Sequence, residues 1–151
     1  MPPMFTRLAN FLKTPETNRP ADLKVAVAVL LLEAAHRDDN FSADERAAIA
    51  RLLRGKFDLS KEEASQLMAA TESRVREMVQ LHPYTHAIFE QMTPEDRIRF
   101  IEMLWEVAYA DGVLDPEEDA MIRKIAGLIY VEDRDRILAR KRVEARMKNG
   151  I

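Results

Sequence analysis

Between Ala21 and about Arg37 the chain carries eight unbroken apolar residues, Val25 to Leu32, inside a stretch with helix-forming composition. Eight residues cannot span a bilayer, which needs about 20. Wound as a helix, the segment is apolar on almost every side, and such a helix survives in water only when other elements enclose it. The expectation is a central buried helix, and the rest of the chain must supply its shell. With 151 residues there is enough chain to build one sizeable core. Only four glycines are present, against a rich supply of Ala, Leu, Glu, Arg and Met, the residues that lose least on entering a helix. No stretch shows a sustained two-residue alternation of apolar and polar residues, so no strand is predicted. The fold class expected is all-α, a single domain over 1–151 with seven or eight helices.

Capping chemistry marks where the shell helices begin, since Ser, Thr or Asp accepts a bond from an orphan N–H and proline presets the first helical turn. A short helix over 3–13 comes first. Ser42-Ala-Asp-Glu45 is a capping box opening a helix to Arg54, with Gly55 as its C-terminal cap, and Ser60-Lys-Glu-Glu63 opens another to about Val79. Pro83 to Gln91 forms a shorter helix. Thr93-Pro-Glu-Asp96 starts one to about Ala110, and Asp115-Pro-Glu-Glu118 one to about Ile129. A charged helix spans roughly 132–147. The predicted core contacts are Val29, Leu32, Ile101, Leu104 and Trp105.

Shifting the chain by 73 residues aligns Leu31 to Glu45 with Leu104 to Glu118, so about 21–56 and 93–129 read as duplicated halves. Glu33 then matches Glu106, Asp38 matches Asp111, Ser42 matches Asp115 and Glu45 matches Glu118, with Phe41 and Leu114 plugging the turns. Caps account for Ser42, Asp115, Glu45 and Glu118. They do not account for Glu33, Glu106, Asp38 and Asp111, whose carboxylates approach the negative ends of their helices. Hard cations, Ca²⁺ or Mg²⁺, take such oxygen donors. The expectation is two divalent-cation sites: Asp111 and Glu118, supported by Glu106 and Asp115, and a weaker one from Asp38 and Glu45 with Glu33. Gly112 sets that order, because glycine closes a turn through positive φ where Asp39, its counterpart, is strained. Neither turn has the twelve-residue spacing or central glycine of an EF-hand. Set against metal is the reading in which the acids are only caps.

This paired pattern resembles the TerB-like tellurite-resistance family, from about Ala21 to Ile129. Its most specific stretch is Glu106-Val-Ala-Tyr-Ala-Asp-Gly-Val-Leu-Asp-Pro-Glu-Glu118. The resemblance implies an all-helical domain with two pseudo-repeats, and a cytoplasmic, stress-associated, non-enzymatic module binding a divalent cation. Tellurite itself is an oxyanion that a carboxylate cluster repels, so direct capture at these turns is not expected.

The remaining features bound the function. There is no cysteine, which excludes disulfides and thiolate chemistry, and the formal charge of -3 provides no global attraction to nucleic acid. The last helix is locally basic but has no aromatic to stack a base. The start lacks a secretory h-region, making a cytoplasmic location the default. Met4, Phe5, Leu8, Phe11 and Leu12 form a stripe that docks on the domain or, flanked by Arg7 and Lys13, on a membrane surface. Glu33-Ala-Ala-His36 matches one half of a di-iron motif, but Tyr109 replaces the second histidine. His82, His86 and Glu90 share one helical face, a spacing suited to a transition metal or simply to solvent. Pro83 stands where a zinc protease would carry its glutamate. No phosphate loop or nucleophile elbow is present, and an acid–base enzyme has only the carboxylates in its favour. The alternative to a cation-binding module is a protein–protein interaction scaffold; either reading implies a protein partner.

Overall fold

The structure, a computed structural model, describes residues 22–35, 41–77, 80–112 and 114–149. The helix expected over 3–13, together with His36 and Asp38, lies outside them. Among the described residues there are seven helices and no strand. They are α1 (Leu23–Ala35), α2 (Ala43–Phe57), α3 (Lys61–Glu77), α4 (His82–Gln91), α5 (Pro94–Ala108), α6 (Pro116–Leu128) and α7 (Asp133–Asn149).

α1 is the enclosed helix. Asp22 starts it by accepting from the Lys24 N–H at 2.8 Å, and every residue from Ala26 to Leu32 is fully buried. Its valines are mediocre helix formers, so burial rather than propensity fixes this segment. α2, α3, α4, α5 and α6 all pack on it, while α7 lies chiefly along α5. Val29, Leu32, Ile101, Leu104 and Trp105 are each 0% exposed, as the apolar pattern predicts.

The caps follow the sequence at most helix starts. Ser42 and Glu45 close a full box, with both bonds at 3.0 Å; Ser60 and Glu63 close another. Thr93 Oγ1 accepts from the Asp96 N–H at 3.1 Å. Two expectations are corrected. Gly55 does not end α2: the helix runs on to Phe57, and Asp58 takes the left-handed position at φ 53°. The N–H groups of Asp58 and Leu59 both return to the Arg54 carbonyl, and Phe57 packs against the core, which favours nearly one more turn before the stop. The second correction is at Asp115. Its carboxylate accepts from the Glu117 N–H at 2.7 Å rather than from Glu118, so Asp115 caps α6 alone.

Candidate functional site

The change of partner at Asp115 matters because it leaves Glu118 without a place in the cap. Glu118 stands in the first turn of α6 as Glu45 stands in the first turn of α2, each the third residue of its helix. Phe41 and Leu114, the predicted turn plugs, are half-buried against the core and hold these first turns to the interior. Among the described acids only Glu45 and Glu118 are buried, at 3% and 5% exposure.

The two side chains meet. Burial, first, and then the hydrogen bond and negative charge of Glu45 push the Glu118 carboxyl up to about 9; the charges of Asp115 and Asp111 add to this. Two carboxylates at hydrogen-bonding distance in a low-dielectric interior cannot both be ionised, so near neutrality Glu118 holds a proton. Glu45 has a second commitment, since its Oε1 accepts from the Ser42 N–H. Glu118 Oε2 is buried with no hydrogen-bond partner, and so is Oδ1 of the adjacent Asp119. Unpaired buried oxygens of this kind cost about 1–3 kcal/mol each.

The predicted site residues therefore fall into separate places. Glu45 of α2 and Glu118 of α6 come together. Asp111 and Asp115 lie within electrostatic range of Glu118 at the α5–α6 turn. In that turn Gly112 adopts φ 84°, the conformation for which glycine was predicted. Glu106 is turned elsewhere, pairing with Arg146 at 2.7 Å and with Arg51 at 3.5 Å. Glu33 is half-buried on α1. Asp38 lies outside the described residues. The basic residues of α7 are partly spoken for: Arg142 and Arg146 pair with Glu102 at 3.0 and 2.8 Å.

Reading each turn as its own site misses the contact between Glu45 and Glu118. The one available signal was the 73-residue register, which pairs Glu45 with Glu118 in the sequence. Asp119 carried no signal of its own, because an acid in a first helical turn is ordinary.

The donors suit a hard cation in kind: carboxylate oxygens, one of them buried and unpartnered. In number they are few. Among the described residues no three His, Asp or Glu side chains already stand close enough to hold an ion.

An all-helical domain wrapped round one apolar helix, with a buried acid pair between the first turns of two outer helices, defines the class. The chain belongs to the family of tellurite resistance protein TerB, whose family model matches residues 24–141. That match reaches beyond Ile129, where the resemblance of the acidic turns ends, and takes in the first half of α7. Searches of curated proteins and of solved structures returned no match. No helix among the described residues is long and apolar enough to cross a membrane.

Proposed function

We propose that this chain is a non-enzymatic, cation-responsive module in which a divalent ion, Ca²⁺ or Mg²⁺, binds between Glu45 and Glu118. The observation that carries this reading is Glu118 Oε2, buried, unpartnered and beside a second buried carboxyl. A structural role would favour apolar residues at both positions, because a buried polar pair is seldom more stable than well-packed hydrophobic replacements. Asp111 and Asp115 would complete the coordination, with backbone oxygen and water filling the remaining positions. The ion supplies two positive charges that offset the repulsion among these acids. What the chain contributes is position: the Ser42 cap fixes Glu45, and Gly112 lets Asp111 approach α6.

The acid pair joins α2 to α6, so occupancy would tie the two halves together and alter the surface offered to a protein partner. We infer a cytoplasmic stress-associated setting from the family alone. Glu33 and Glu106 belong to this reading only as outer acids. Interaction scaffolding is the second reading, and one observation favours it. Phe89, Leu128 and Tyr130 are large exposed apolar side chains, and the Phe89 and Tyr130 rings are in contact at 4.8 Å between centroids.

Calorimetric titration of the metal-stripped chain with Ca²⁺, Mg²⁺ and Mn²⁺ tests the proposal. Binding heat and a higher melting temperature are expected, both lost in Glu118→Gln and reduced in Asp111→Asn and Asp115→Asn. A flat titration with every ion and an unchanged melting temperature would overturn it.

A further inference from the structure

α7 turns one side to the domain and the other to solvent. Arg136, Ala139 and Val143 are buried against the rest of the fold. At 3.6 residues per turn, the opposite side is formed by Arg134, Ile137, Leu138, Lys141, Ala145 and Lys148, which fall within an arc of roughly 100°. All six are exposed, and no acid lies among them. From Arg134 to Lys148 the stripe runs about 21 Å along the helix axis. Ile137 and Leu138, near one end of it, are 43% and 38% exposed, although burial would favour both.

The acids of α7 stand on its flanks and are turned away from this stripe. Asp133 pairs with Arg136 at 3.4 Å. Glu144 accepts from Tyr109 and from Arg140, and feels the charge of Lys141 only at longer range. Asp135, on the other flank, is half-buried. Arg142 and Arg146 are drawn to Glu102, and Arg146 to Glu106 as well. Arg134, Lys141 and Lys148 have no ion pair among the described residues. Pairing therefore uses up the charges that face the domain and leaves the outer side with three uncompensated cations around two aliphatic side chains.

We propose that this outer face of α7 docks on an anionic lipid surface. Lysine and arginine stems run past apolar groups while their charged ends stay among the headgroups. Ile137 and Leu138 then dip toward the acyl boundary, and the helix lies along the surface without entering it. Each cation so placed gains from the negative potential of the lipid. Nucleic acid would use the cations but has nothing to offer two aliphatics, and the stripe has no ring to stack a base. A protein partner is less well matched, because the tyrosine and tryptophan that anchor most protein interfaces are absent from the stripe. The formal charge of the chain is -3, so the attraction belongs to this face alone and is steeply sensitive to salt. It makes no use of the acid pair between α2 and α6.

The test is co-sedimentation of the full chain, in chelator and at low salt, with phosphatidylcholine vesicles that do or do not contain phosphatidylserine. The chain should sediment with the anionic vesicles only, and added salt should release it. Joint Arg134→Glu and Lys141→Glu substitution should weaken partitioning at least about tenfold, since each cation near an anionic surface contributes a comparable share. Joint Ile137→Ser and Leu138→Ser substitution should weaken it several-fold with the cations intact. All four side chains are on the surface, so circular dichroism should match the unsubstituted chain. No sedimentation with anionic vesicles, or equal sedimentation with neutral ones, would overturn the proposal. So would binding that survives the α7 substitutions and is lost on Phe5→Glu with Phe11→Glu, which assigns it to the start of the chain. Binding indifferent to both serines, together with duplex DNA binding lost on the charge reversals, would assign the face to nucleic acid instead.

Discussion

Replacing Glu118 by glutamine removes one ionisable proton from the interior while keeping the shape of the side chain and a donor toward Glu45. The Glu118 carboxyl is pushed up to about 9 in the folded chain from an ordinary value of 4.5. Its folded pKa is raised, so between these limits the native state holds a proton that the unfolded state releases. The stability this group contributes is fully present below pH 4.5 and is lost as pH rises toward 9. The loss is about 1.4 kcal/mol for each pH unit, or on the order of 3 kcal/mol by pH 7. Glutamine is neutral throughout and loses none of it. Urea unfolding of Glu118→Gln and the unsubstituted chain, both in chelator, should give similar midpoints near pH 4.5. By pH 7 the variant should be more stable by roughly 2–3 kcal/mol, with unchanged m values. Taking the difference between the two proteins cancels the titrating groups that do not interact with Glu118; Glu45, Asp111 and Asp115 do interact with it. A difference that does not move with pH would refute the reasoning, because it would show that Glu118 ionises normally in the folded chain.

Leu32→Ala removes a fully buried side chain from α1 and should cost about 2–5 kcal/mol in the same assay; a loss under about 1 kcal/mol would contradict the enclosed position of that helix. Gly112→Ala meets no atom within 4 Å, so its expected cost of about 1–2 kcal/mol comes wholly from backbone strain at φ 84°. Asp58→Gly, at φ 53°, should raise stability by up to about 1 kcal/mol by relieving the left-handed conformation and removing an acid from the negative end of α2. A lower urea midpoint for Asp58→Gly would show that the aspartate stabilises the stop.

What could be read without coordinates was what local chemistry decides. The run from Val25 to Leu32 has only one stable environment, and the caps at Ser42, Ser60 and Thr93 are bonds within a few residues of chain. Gly55 misled because glycine at a helix end is only a preference. The packing of Phe57, which lies further along and in three dimensions, moved the stop to Asp58. The acid site was half legible. Residue type and register singled out Glu45, Glu118, Asp111 and Asp115 as candidates, but adjacency within one turn grouped Glu118 with Glu106. In the structure Glu106 is drawn to Arg146, forty residues away in sequence, and such a long-range pairing leaves no local trace. The meeting of Glu45 and Glu118 is likewise a property of how α2 and α6 lie around α1.

The central place of α1 carries a cost during synthesis. α1 is the first described helix to leave the ribosome, yet α6 is among the helices that cover it. About ninety residues separate Ala35 from Leu128, and at roughly 5–20 residues per second the apolar run waits some 5–20 s for its last cover. During that interval Val25 to Leu32 is the most adhesive stretch of the nascent chain, a natural grip for a chaperone. The yield of folded protein should therefore depend on the pace of translation through α2 to α6 as well as on final stability.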